Sequence, residues 1–172
     1  MTNICHSINT WQERQRIFEW NKGENEYEKI LKEAEEHARK LRIRLRKPSI
    51  SAHDVSLCDE NPLRNLYISA DGEVSPCVYL YPPLASPFKR IFCNKEYWME
   101  KVSFGNIFKE PFPTIWNSEG YVRFRNCFVQ RESKFKELYF SVWNIGRKMD
   151  LKDIVLPEPP EPCKTCHKIL GV

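Results

Sequence analysis

Four cysteines constrain this chain more than any other feature. Cys58 and Cys77 stand on either side of a short run that reads as a β-hairpin. Cys163 and Cys166 stand at the far end, behind a proline-rich arm. If the four thiols share one purpose, the C-terminal stretch must fold back onto the hairpin. Seven cysteines in 172 residues is a high and odd count. The opening Met1-Thr-Asn-Ile-Cys-His lacks the charged-then-apolar pattern of an export signal. The chain therefore reads as cytoplasmic, where a disulfide framework is not expected and metal binding becomes the leading account of the cysteines. No apolar run is long enough to span a bilayer.

The hairpin is the best local signal. Leu66-Tyr-Ile-Ser-Ala70 and Glu73-Val-Ser-Pro-Cys-Val78 flank Asp71-Gly72. Asp-Gly between two β-prone runs predicts a two-residue turn, with both residues at positive φ. Pro76 cannot donate to a ladder, so the pairing should loosen there and let Cys77 project away from the sheet. Folding the chain back at the turn lets Cys58 and Cys77 approach each other. The tail Leu156-Pro-Glu-Pro-Pro-Glu-Pro162 is too rich in proline for a helix and predicts a stiff extended arm. That arm delivers Cys163-Lys-Thr-Cys166, whose two sulfurs can reach one centre.

Around this nucleus the sequence predicts mostly helix. Tyr27, Ile30, Leu31, Ala34, Ala38, Leu41 and Leu45 recur at three- and four-residue intervals. Glutamates dominate the first half of that helix and Arg or Lys the last, which complements its dipole. The alternation of Arg42, Arg44 and Arg46 with Ile43 and Leu45 predicts a short strand from about residue 42, ended by Pro48. A further helix is expected over the second half of residues 1–22. Residues 81–103, with Pro82, Pro83 and Pro87, read as irregular, and Phe104-Gly-Asn-Ile107 as a short strand. Pro113 to Gln130 reads as a helix bent near Gly120, and a separate helix is expected from Ser133 to about Met149. The fold class is α+β: a small antiparallel hairpin or sheet with flanking helices around a four-cysteine metal site, preceded by a helical N-terminal segment. The expected division is 1–50 and 51–172.

Four thiolates suit one tetrahedral zinc ion as well as an iron–sulfur cluster, and spacing alone does not separate them. Two blander readings compete. A redox pair would need Cys163 and Cys166 to open a helix after a strand. Buried structural thiols are common in any core.

The same residues resemble a known family. Cys58, Gly72 and Cys77 have the form Cys-x13-Gly-x4-Cys. That form is similar to the opening of the SPASM and twitch domains, the auxiliary-cluster domains of many radical S-adenosylmethionine enzymes. "NLYISADGEVSPC", "FGNIFKE…IWNSEGYVRFR" and "PEPCKTCHKILG" resemble that family's hairpin, its glycine-asparagine strand with the following helix, and its closing cysteine pair. The resemblance covers about residues 58 to 170 and favours a cluster over zinc. It implies one [4Fe–4S] cluster, with Cys58, Cys77, Cys163 and Cys166 as its ligands and zinc as the alternative metal.

The longer Cys-x2-Cys-x5-Cys-x3-Cys ending of two-cluster members is not matched. The Cys-x3-Cys-x2-Cys set of the catalytic barrel is missing, and residues 1–50 resemble only the last helix and strand of such a barrel. The expectation is an auxiliary domain, not catalytic by itself. It would support electron transfer or the binding of a peptide or protein substrate, beside a partner carrying the radical S-adenosylmethionine core. A structural zinc protein or RNA-interaction module is the alternative.

The remaining chemistry is sparse. Cys127 reads as a core or semi-exposed thiol, and Cys5 and Cys93 have no assigned role. His167 beside Cys166 could hydrogen-bond a sulfur and tune it, but such a residue is more often merely exposed. Trp116 and Trp143 read as core aromatics. The net charge of +4 is mild. The basic stretch from Arg39 to Lys47 is partly balanced by the glutamates before it, so it reads as a solvated face and nucleic acid is not an expected partner. Six glycines leave no phosphate cradle, and no Ser/His/Asp set or paired-carboxylate motif stands out.

Overall fold

Strand β1, Tyr67–Ile68, pairs antiparallel with β2, Val74–Ser75, in the register Tyr67 to Ser75 and Ile68 to Val74. A computed structural model of the chain describes residues 27–47, 49, 50, 52–145 and 155–172, the side chains of 141–145 excepted. The turn differs in detail from the expected two-residue form. Gly72 N–H donates to Ser69 O at 3.0 Å, and Ser69 N–H to Glu73 O at 3.0 Å, so the loop holds Ala70, Asp71 and Gly72. Only Gly72 is left-handed, at φ 84, which is the three-residue hairpin loop with a bulged glycine. A Cβ there would also lie 2.7 Å from Asn106 Oδ1.

Asn106 explains that close approach. Its Nδ2 donates to Asp71 O and to Glu73 Oε1, each at 2.8 Å, and its Oδ1 accepts from Phe108 N–H at 2.9 Å. The chain around it lies along the free edge of β2. Val74 N–H donates to Gly105 O and Phe104 N–H to Val74 O. The segment expected as a short strand at 104–107 forms no strand but pairs through an isolated bridge between Glu73 and Asn106. β2 stops before Pro76, and a 3-10 turn at Val78–Leu80 follows Cys77.

A second hairpin occupies much of the stretch expected to be irregular. Strand β3, Phe88–Phe92, pairs with β4, Lys95–Met99. Cys93 and Asn94 between them have φ 50 and 62. Positive φ at both central residues is the two-residue turn whose twist matches the strands.

Helix α1, Tyr27–Lys40, ends differently from the expected passage into a strand. Ile43 N–H reaches Ala38 O at 2.9 Å and Arg42 N–H reaches Arg39 O at 3.1 Å, with Arg42 at φ 55. These are the paired bonds of a Schellman ending, here with arginine at the left-handed position. The backbone therefore turns at residue 42, and 43–47 lie in no strand. The basic stretch is exposed, and Lys47 pairs with Glu35 at 2.5 Å, in keeping with a solvated face.

Helix α2, Phe112–Trp116, and helix α3, Glu119–Ile145, are separated at Asn117-Ser118, close to the bend expected near Gly120. The two helices expected on either side of residue 131 are one. No Pro or Gly interrupts 121–145, so nothing breaks the ladder. The first half of α3 packs on the first hairpin. Val74, Leu80, Ile115, Tyr121, Phe124, Phe128 and Ile169 form the core, with Trp116 packed at its margin. Phe104 stacks on Tyr121 with ring centroids 4.5 Å apart. Residues 1–22, with the helix expected over their second half, and the side chain of Trp143 lie outside the described residues. The α+β class is as the sequence predicts. No helix among the described residues is long and apolar enough to cross a membrane.

Candidate metal centre

A backbone seam and a buried arginine bring the cysteine-bearing segments together. His53 N–H donates to Leu170 O at 3.0 Å and Val55 N–H to Ile169 O at 2.9 Å, joining the chain before Cys58 to the chain after Cys166. The fully buried Arg131 of α3 fastens the same region. Its guanidinium donates to Pro157 O, to the Asp54 carboxylate and to Val55 O. One side chain thus holds both the approach to Cys58 and the proline arm that carries Cys163.

The sulfurs sit where these segments meet. Cys166 is buried, and Cys58, Cys77 and Cys163 are half-buried. Burial pushes the Cys58 thiol up to about 11 and the Cys77 thiol up to about 12, and the neighbouring Cys166 raises both further. Burial also raises Cys163 well above the usual thiol range, helped by Cys166, Cys77 and Cys58. The charge of Cys166 thus acts on the other three sulfurs. Without metal the thiols are protonated near neutral pH, so binding a metal must release protons.

Local backbone geometry favours the opposite, charged form. The N–H groups of Glu60 and Asn61 hydrogen-bond to the Cys58 sulfur, and those of Tyr79 and Leu80 to the Cys77 sulfur. Those of Lys168 and Ile169 do the same at Cys166. In three cases the second and third residues after the cysteine curl back over its sulfur. Such donors stabilise a thiolate and tune a metal bound to it.

The arrangement also bears on which metal fits. Among the described residues, no three His, Cys, Asp or Glu side chains are drawn together closely enough to hold one metal ion. Tetrahedral zinc needs its sulfurs at ~2.3 Å from a single point. A cluster spreads its four iron corners apart and takes one thiolate at each.

Two residues at this site carry roles the sequence did not reveal. Arg90, on β3, is only 1% exposed. Its Nη1 donates to Pro162 O at 3.0 Å and its Nη2 to Tyr79 O at 3.0 Å. His167 is likewise 1% exposed, so the reading of it as a merely exposed neighbour is corrected. Burial holds its imidazole down at about 3, with help from Lys168 and Arg90. The unfolded chain binds this proton near pH 6.5 and the folded chain only far lower. Stability is thus present above pH 6.5 and is lost as pH falls, by about 1.4 kcal/mol per pH unit. Urea midpoints at pH 7, 6 and 5 should decline, and His167→Gln should flatten that decline. An equal slope in the variant would remove His167 as its cause.

Cys93 lies in the exposed β3–β4 turn, and the Cys127 thiol donates to Arg123 O at 3.5 Å on its own helix. Cys5 lies outside the described residues.

Neither the comparison with curated proteins nor that with solved structures gave a match. The comparison with protein families matched SPASM, an iron–sulfur cluster-binding domain, over residues 58–167. The matched region opens on the first of the four cysteines and closes one residue after the last. The chain belongs to the SPASM family of iron–sulfur cluster-binding domains.

Proposed function

We propose that Cys58, Cys77, Cys163 and Cys166 hold one [4Fe–4S] cluster and that the chain serves as an auxiliary electron-transfer module. The observation that carries this reading is the gathering of the cysteine-bearing segments by the seam between 53–55 and 169–170 and by the buried Arg131 and Arg90, with the charge of Cys166 acting on Cys58, Cys77 and Cys163. When bound, such a cluster supplies a one-electron store. Four protein thiolates leave no iron corner open to a substrate, so outer-sphere transfer fits this donor set better than direct ligation. The chain's own part is to hold the sulfurs, direct backbone N–H groups at them and limit water. Radical S-adenosylmethionine chemistry on a peptide or protein substrate would come from a partner bearing the catalytic cysteine set.

Anaerobic incubation with ferrous iron and sulfide tests the proposal. A brown protein with about four iron and four sulfide per chain is expected. Uptake of one zinc per chain with no iron would overturn it.

A further inference from the structure

Arg90 poses a charge problem that its own contacts do not solve. A buried guanidinium is costly unless an opposite charge accompanies it. Its acceptors are Tyr79 O, Pro162 O and Thr165 Oγ1, the last at 3.4 Å, and all three are neutral. Its buried Nε–H has no acceptor. The groups within its electrostatic reach that can carry negative charge are the sulfurs of Cys166, Cys163 and Cys77. The anchoring oxygens also lie on the cysteine-bearing turns: Tyr79 follows Cys77, Pro162 precedes Cys163, and Thr165 precedes Cys166.

We propose that Arg90 is the charge-setting residue of this centre: a fixed cation, clamped between its two cysteine turns, that raises the centre's reduction potential. The inference rests on the cluster reading given above. A four-thiolate cluster carries net negative charge, and its reduced state carries one unit more. A permanent cation held in a poorly solvated pocket favours the more negative state. Arginine suits the position because its planar fork serves several carbonyls at once and does not lose its proton. Conversely, in a loaded centre the thiolate charge offsets the penalty of burying Arg90, so the two features explain each other.

The test compares wild type, Arg90→Gln and Arg90→Lys after anaerobic loading with iron and sulfide. Iron and sulfide content is measured first. The potential is then measured by titration with dithionite through mediator dyes, followed by electron paramagnetic resonance. Each step passes one electron from dithionite to the centre, with no bond made and no proton moved. Glutamine keeps donors for the carbonyls but removes the charge; lysine keeps the charge but loses the fork. At a fixed solution potential, Arg90→Gln should raise the ratio of oxidised to reduced centre at least ten-fold. That is a fall of about 59 mV for a one-electron couple. Arg90→Lys should move it much less.

Failure of Arg90→Gln to load, with normal loading of Arg90→Lys, would support the same conclusion, because charge is what the lysine retains. Equal potentials in wild type and Arg90→Gln would overturn the proposal. So would equal damage from both substitutions, which would make Arg90 a clamp and nothing more. If wild type itself takes up no iron, the cluster reading fails, and the proposal falls with it for a reason separate from Arg90.

Discussion

Cys166→Ala should leave the protein colourless after anaerobic loading, while Cys127→Ala should load fully. Cys166 is the most enclosed of the four sulfurs, and its charge acts on Cys58, Cys77 and Cys163 alike. It also accepts the backbone N–H groups of Lys168 and Ile169. Removing it leaves those donors without an anion and one iron corner without a protein ligand, in a pocket with little water to replace it. Iron content should fall from about four per chain to well below one. Cys127 bonds within its own helix, so its loss should change iron content by no more than the assay error. Full loading of the Cys166 variant, or failure of the Cys127 variant, would each show that the ligand set is misassigned.

The second large effect is expected at Arg131. Arg131→Met should lower the stability of the protein by roughly 3–5 kcal/mol, the range found when one member of a buried charged network is removed. Its side chain is fully buried and serves three acceptors on two segments. Methionine fills much of the volume but leaves Pro157 O and Val55 O without their donor. Burial already raises the Asp54 carboxyl, with Arg131 opposing that rise, so the variant would leave Asp54 still less able to ionise. Thermal unfolding should shift down by on the order of 10 °C. Arg131→Lys should recover only part of this, because one ammonium cannot span three acceptors set for a fork. Loading should weaken too, since the segments tied by Arg131 lead to Cys58 and Cys163. A melting temperature within a degree or two of wild type would show that the backbone seam between 53–55 and 169–170 suffices alone.

What the sequence revealed follows a physical divide. The first hairpin was legible because Asp71-Gly72 is a strong turn signal between alternating residues, and its last strand ends at Pro76 as proline chemistry requires. The turn's length was misread because aspartate tolerates but does not require positive φ. The hairpin at 88–99 was missed because Cys93-Asn94 is a weaker turn signature and the prolines before it suggest irregular chain. The strand expected from residue 42 rested on an alternation of arginines with apolar residues. Such alternation makes a strand only where a partner edge is available. The separation of α3 into two helices had no breaker behind it.

At the metal centre, the family of the chain was legible because a cluster-binding motif is written in spacing. Arg90, Arg131 and His167 were not, because long-range contact decides their roles. An arginine in a strand or on an amphipathic helix reads as solvent-facing until the fold shows what covers it.

The seam between His53–Val55 and Ile169–Leu170 also has a temporal meaning. A ribosome releases a chain from its N-terminus, so the first hairpin, with Cys58 and Cys77, emerges while the arm carrying Cys163 and Cys166 is still unmade. Through that interval Cys58 and Cys77 wait on a half-built site, and the backbone of residues 53–55 waits for its partners at 169–170. The order of synthesis therefore places closure of the pocket last. A cluster on these four cysteines would then be loaded by a delivery step that follows synthesis of both pairs, or by one that guards the early pair until the late pair arrives.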